Sequence, residues 1–273
     1  MMKMGKDLTK KIVHFIKEKE IATLDEIRKQ FKEEDYPVLH YHINKSLEFG
    51  IKKIKNGLYA HEYFSDYYLL LMKLNPGNII AYHTALEFYG LGHTVFFTGF
   101  IMNKKFYSNI DELQGKTIKY VKPTKGISKK ITRNNKEFIV TPLEATFLDC
   151  LLYPKYCGGF EELLRCLQGL TGTYENKKKS SNKFDTQINL DYLYELLKKY
   201  NVKKLYNLTG FTLEILKEHW QINVSDNFLN KINKEIREKI VILEESHSKT
   251  YKHDKKWNVK YPKELESAIT GIY

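Results

Sequence analysis

Between Tyr41 and Lys55 the chain carries side chains able to read and grip a polyanion: Tyr41, Asn44 and Lys45, followed by Lys52, Lys53 and Lys55. An asparagine amide can bridge the edge of adenine, and a lysine ammonium can reach guanine or neutralise a phosphate and release its counterions. His40 flanks this set. The chemistry these types offer is recognition of nucleic acid, with base contacts and phosphate contacts supplied by different residues.

Such groups act together only if a helix and a hairpin hold them. Asp35 is a candidate N-cap, Pro37 fits a first helical turn, and Gly50 can end the helix left-handed, which predicts one helix over about 37–49. Leu39, Ile43 and Leu47, with Val38 and Ser46 beside them, predict a buried stripe, and Tyr41, Asn44, Lys45 and Glu48 fall outside it. Ile51–Lys55 and Leu58–Ala60 flank Asn56-Gly57, a dipeptide suited to the two positive φ angles of a tight hairpin. Upstream, Leu8–Glu20 is amphipathic, and Thr23-Leu24-Asp25-Glu26 has the capping-box pattern at the head of a short helix bearing Leu24, Ile27 and Phe31. Three helices and a hairpin in this order match a winged helix-turn-helix, with the third helix in the major groove and the hairpin as wing. A protein-docking module is the alternative for the same layout.

Other groups with chemical potential lack companions. His40 and His42 stand two apart, hence on different helix faces, and no Cys or acidic cluster joins them. Both read as ordinary surface or base-contacting histidines. His83 reads as a neutral imidazole satisfied by hydrogen bonds, Asp149 as a buried or interfacial hydrogen-bonding group, and Cys150, Cys157 and Cys166 as packing residues. Asp111, Glu112 and Glu144 show no metal-ligand spacing. No catalytic residue, cofactor site or metal site is therefore expected. A nuclease whose carboxylates assemble only in three dimensions is the second alternative.

Composition sets the frame. With 273 residues, 42% hydrophobic and 14% aromatic, the chain is long enough for a small domain joined to a larger one. Its 45 Lys and Arg against 33 Asp and Glu give a formal +12, but lysine-rich composition bias explains part of that excess. The lysines clustered at 52, 53 and 55 are the better signal. No apolar run approaches the roughly 18–20 residues of a bilayer span. MMKMGKDLTKK lacks an apolar signal core and the three cysteines lack CxxC spacing, so a reducing cytoplasm and no membrane association are expected.

The remainder predicts a helix capped by Ser65 and running to Leu74, a buried helix over 83–89, and strands at 94–102, 117–121 and 138–140 in a mostly antiparallel sheet. Thr141-Pro142-Leu143-Glu144 has the form of a capped helix start, and Gly158-Gly159 precedes a helix over 160–170. A polar surface loop is expected over 172–183, then helices over 190–200, 202–220 with a possible break at Gly210, and 225–237, and strand-like segments at the end. The fold class is α+β: a winged helix-turn-helix over 1–64 and a larger mixed domain over 65–273.

The succession KIKNGLYAHEYF, NIIAYHTALEFYGL, FIVTPLEATFLDCL and WNVKYPKELE, spread from the hairpin to residue 266, resembles the AbiEi antitoxin family of abortive-infection systems. The resemblance implies an N-terminal winged helix-turn-helix followed by a larger domain, in a transcriptional autorepressor that is also an antitoxin for phage defence. It places Tyr41, Asn44 and Lys45 on the recognition helix and Lys52, Lys53 and Lys55 on the wing. The implied partners are double-stranded DNA of the protein's own promoter and a nucleotidyltransferase-like toxin, countered without a stable complex. It supplies no catalytic residue.

Overall fold

Leu8, Ile12 and Ile16 repeat every four residues, so one helical face buries them against Ile27, Leu39, Ile43, Ile51 and Tyr59. In the computed structural model, which describes residues 2–105, 107–113, 115–175, 186–243 and 250–270 (the side chains of 2–6 and 111 excepted), this is the core of the first of two compact units. That unit comprises Met1–Asn78 and Thr132–Phe138, and the second comprises Ile79–Ile131 and Ile139–Tyr273.

The first unit runs α1 (Met2–Lys19), β1 (Ile21–Thr23), α2 (Leu24–Gln30), α3 (Tyr36–Ser46), β2 (Ile51–Lys55), β3 (Leu58–His61) and α4 (Tyr67–Leu74). The capping box at α2 is formed: Thr23 Oγ1 accepts from the Glu26 amide at 3.2 Å, and Glu26 Oε2 accepts from the Thr23 amide at 2.9 Å. Asp35 occupies the N-cap of α3 but its side chain makes no capping bond, leaving Pro37 in the first turn as the local start signal. The regular helix stops at Ser46, a single 3₁₀ turn covers Leu47–Phe49, and Gly50 follows at φ +79°. β1, β3 and β2 form a three-stranded antiparallel sheet in that order, with Ile21 and Lys52 on either side of Ala60. In the β2–β3 turn Gly57 alone has positive φ, at +78°, so the expected doubly left-handed turn is not the one adopted.

α4 is capped by Asp66, which accepts from the Leu69 amide at 3.0 Å, and not by Ser65. Lys73 on α4 pairs with Glu26, and α4 packs on β1, so this unit continues past residue 64 to Asn78. Lys136 adds ion pairs within the same unit, 2.7 Å to Glu20 Oε1 and 3.7 Å to Asp66 Oδ2.

The second unit contains β4 (Ile79–Ile80), α5 (Tyr82–Phe88), β5 (Thr98–Met102), β6 (Ile110–Leu113), β7 (Lys116–Val121), β8 (Lys129–Arg133) and β9 (Lys136–Val140), the β8–β9 tip being the segment counted with the first. Its sheet order is β6-β7-β5-β4-β9-β8. β5 pairs parallel to β7 and β4 parallel to β9, so the sheet is mixed where a mostly antiparallel one was expected. The reason is connection length, because these partners are joined by long excursions and not by hairpins.

α6 (Leu143–Leu152) is buried from Leu143 through Leu151 and packs against α5, α7 (Phe160–Leu167), α8 (Leu190–Tyr200) and α9 (Lys203–Trp220). Pro142, not Thr141, is its N-cap, and the expected capping box is absent: Glu144 accepts from the Asn189 amide at 2.8 Å, while Thr141 and Thr146 hydroxyls bond each other at 2.6 Å. β10 (Gly172–Tyr174) pairs parallel to β11 (Gln187–Asn189), replacing part of the expected loop with strand, and 176–185 lie outside the described residues. α9 passes through Gly210 unbroken, where the fully buried Trp257 ring rests on the helix. α10 (Asp226–Asn233), the sheet β12-β14-β13 (Val241–Ile242, Val259–Pro262, Tyr251–Asp254) and α11 (Glu266–Thr270) complete the unit. No helix among the described residues is long and apolar enough to cross a membrane.

Candidate nucleic-acid interface

Leu39, His42, Ile43 and Ser46 are the buried positions of α3, a spacing of three and four residues that turns the opposite stripe to solvent. His40, Tyr41 and Asn44 are exposed there, Tyr41 at 59%, and Lys45 is half-buried. Leu47 and Val38, expected in the core, are 38% and 43% exposed, because the helix gives way to the 3₁₀ turn at Leu47 and Val38 lies one position off the buried stripe. His42 is a core residue, 7% exposed, with Nδ1 2.7 Å from Thr9 Oγ1 on α1, and this removes it from the surface histidines.

The exposed groups are already organised among themselves. Asn44 Nδ2 lies 3.2 Å from His40 Nδ1, one turn back, which leaves Asn44 Oδ1 outside this bond. Lys45 Nζ sits 5.8 Å from the centre of the Tyr41 ring. Arg28, exposed near the end of α2, stands 5.1 Å over the exposed Tyr36 ring, which in turn neighbours His40 at 5.8 Å. Arg28 and Tyr36 extend the face toward the start of α3. A reading confined to 37–49 misses them, although a basic residue ending the preceding helix is the available signal. On the α1 side, Lys10, His14 and Lys17 line a groove with Lys45 and Phe49.

The hairpin divides its three lysines. Lys52 and Lys53 are exposed on edge strand β2, opposite Ala60 and Tyr59. Lys55 is half-buried, its Nζ donates to Asn75 Oδ1 at 2.8 Å, and desolvation lowers its pKa. A register shift lies between Lys53, which is exposed, and Lys55, which is half-buried. The structure therefore brings His40, Tyr41, Asn44 and Lys45 onto one helix face, Lys52 and Lys53 onto the open strand, and Lys55 into an internal bond.

Asp149, in the second unit, is 2% exposed and accepts from the Tyr200 hydroxyl at 2.8 Å, as a buried hydrogen-bonding group should. Burial pushes its carboxyl up to about 6, against the hydrogen bonds from Tyr200 and Thr124. A folded pKa above the unfolded value means that the native state holds the proton longer, so this group favours folding at low pH, and that advantage disappears as pH rises from about 4 to about 6. Asp149→Asn is expected to gain stability over the parent across that interval, by ~3 kcal/mol when complete. Urea unfolding of both proteins at pH 4.5 and pH 7 checks it, and a difference that does not widen with pH would reject the assignment.

No family model matches the chain, and no curated protein matches it. Among solved structures the fold is similar to the crystal structure of the RV2827C protein from Mycobacterium tuberculosis, with a TM-score of 0.56 at 12% identity, covering 92% of this chain and 89% of that one. At that identity the likeness is one of fold.

Proposed function

We propose that the first unit is a winged helix-turn-helix that binds double-stranded DNA, α3 entering the major groove and the β2–β3 hairpin serving as wing, in a transcriptional autorepressor of the AbiEi antitoxin type. The observation that carries this reading is the exposed face of α3, with His40, Tyr41, Asn44 and Lys45, followed directly by Lys52 and Lys53 on an open edge strand. The element order α1-β1-α2-α3-β2-β3, with the first strand pairing onto the hairpin, supports the same assignment. Lys52 and Lys53 reach phosphates, and Asn44 and Lys45 face base edges. The second unit counters a nucleotidyltransferase-like toxin without a stable complex, as the family resemblance implies.

Fluorescence anisotropy with a labelled fragment of the protein's own promoter tests the DNA-binding part. Two lysines on phosphates give a plot of log affinity against log salt with a slope of about −2 per chain, and the promoter should be preferred over a shuffled sequence at each salt concentration. Equal affinity for both fragments throughout would remove the operator claim.

A further inference from the structure

His83 in the second unit stands between two carboxylates: Nε2 bonds Glu162 Oε1 at 3.2 Å, Nδ1 lies 3.5 Å from Glu87 Oε1 without making a hydrogen bond, and the ring is fully buried. A neutral imidazole has one N–H and one lone pair. Whichever tautomer it adopts, only one of the two neighbouring carboxylates can accept a proton from this buried ring. A cation on the ring, either a second proton or a metal ion, makes both approaches attractive.

Cys166 decides between the two. α7 places Glu162 and Cys166 one turn apart on the same face, with Sγ 3.5 Å from Glu162 Oε1. The imidazole nitrogen, carboxylate oxygen and sulfur all lie within 4.8 Å of one another. Zinc bonds of about 2.0–2.3 Å to these elements put tetrahedral donors roughly 3.3–3.8 Å apart, so the set closes around an ion with side-chain shifts of about 1 Å or less. His93 Nδ1, on the solvent side, lies 3.7 Å from Glu162 Oε2. The Phe96 ring stacks flat on His83 at 3.6 Å, and it occupies the space that any Cβ at Gly158 would fill.

We propose that His83 Nε2, Glu162 and Cys166 Sγ hold a divalent ion of the zinc class, with a water in the fourth position and Glu87 orienting His83 from behind. A thiolate, an imidazole and a carboxylate together favour zinc or cobalt over the hard ions magnesium and calcium. On binding, the Cys166 thiol loses its proton to solvent and the His83 proton moves to Nδ1, where Glu87 accepts it. Thr94 donates its amide to Glu162 Oε1 at 2.9 Å and its hydroxyl to Oε2 at 2.8 Å, so both oxygens of this ligand accept hydrogen bonds. The ion ties α5 to α7. This site is independent of the DNA-binding reading.

Cobalt(II) titration of the full-length chain, stripped of metal with a chelator, tests the proposal. One ion per chain is expected, with a thiolate-to-cobalt charge-transfer band and the visible absorption of tetrahedral cobalt, and zinc should displace it. Cys166→Ser should abolish the charge-transfer band, Glu87→Gln should weaken binding by about 10- to 100-fold through the lost orienting bond, and Cys150→Ala should leave it unchanged. A folded parent protein with no charge-transfer band, or a band that survives in Cys166→Ser, would overturn the proposal. Should Cys166→Ser fail to fold, an unchanged affinity in Glu87→Gln does so equally. Nitrogen-15 spectra showing His83 protonated on both nitrogens in excess zinc would assign the cation to a proton and refute the metal.

Discussion

Gly210→Ala is expected to destabilise the protein by about 2–4 kcal/mol and to move Trp257 out of its buried site. In an isolated helix the same change would help by roughly 1 kcal/mol, because alanine is the better helix former. Here the added Cβ would overlap carbons of the indole ring, which is fully buried and held at both ends. Trp257 Nε1 donates to Glu214 Oε2 at 2.5 Å, its amide donates to Asp254 Oδ1 at 2.7 Å, and its carbonyl accepts from Asn207 Nδ2 at 2.8 Å. The ring therefore cannot slide away without losing these bonds. Urea unfolding followed by tryptophan fluorescence reads the loss. Pairing Gly210→Ala with Trp257→Leu should recover part of it, since the clash disappears with the ring. A midpoint as high as that of the parent would show that Trp257 does not pack on Gly210.

Asn44→Ala and Lys53→Ala are expected to fail in different ways. Loss of a bidentate base contact at Asn44 should cost about 1–3 kcal/mol of discrimination among operator variants, with a smaller effect on random DNA. Asn44 must release His40 to present both amide atoms, so His40→Ala should leave the operator preference largely intact. Lys53→Ala should weaken binding to all sequences alike and flatten the salt dependence by about one unit. Lys55 belongs with neither, since its ammonium is bonded to Asn75. Circular dichroism must first show that both variants fold. Should Lys53→Ala change the operator preference while Asn44→Ala does not, the division between base-reading helix and phosphate-binding wing is wrong.

What the sequence reveals tracks how local the cause is. The Thr23–Glu26 box, the left-handed Gly50 and the solvent face of α3 rest on bonds or periodicity within a few residues, and each is legible. His42 is misread because it is polar, though its place three residues after Leu39 puts it on the buried stripe, and its partner Thr9 is 33 positions away. Lys55 is misread for the same reason, its acceptor lying 20 residues downstream. The His83–Glu162 contact spans 79 positions, and no spacing rule links two groups that far apart. β1 is three residues long, too short to show alternation, and exists because β3 offers it a partner. Parallel pairing is equally silent, since it depends on how long excursions return and not on any turn.

Thr132–Phe138 belongs with the first unit although 53 residues of the second, Ile79–Ile131, come before it. Heredity feels this arrangement. A single recombination event between related genes, falling anywhere within 79–131, would take Glu20 and Asp66 from one parent and Lys136 from the other. Such a hybrid keeps its ion pairs only if both parents share them. Exchange of the complete first unit requires three crossovers, one near residue 78 and two flanking the Asn134-Asn135 turn, so the residues of the proposed DNA-binding face should change more readily by point substitution on α3 than by wholesale replacement.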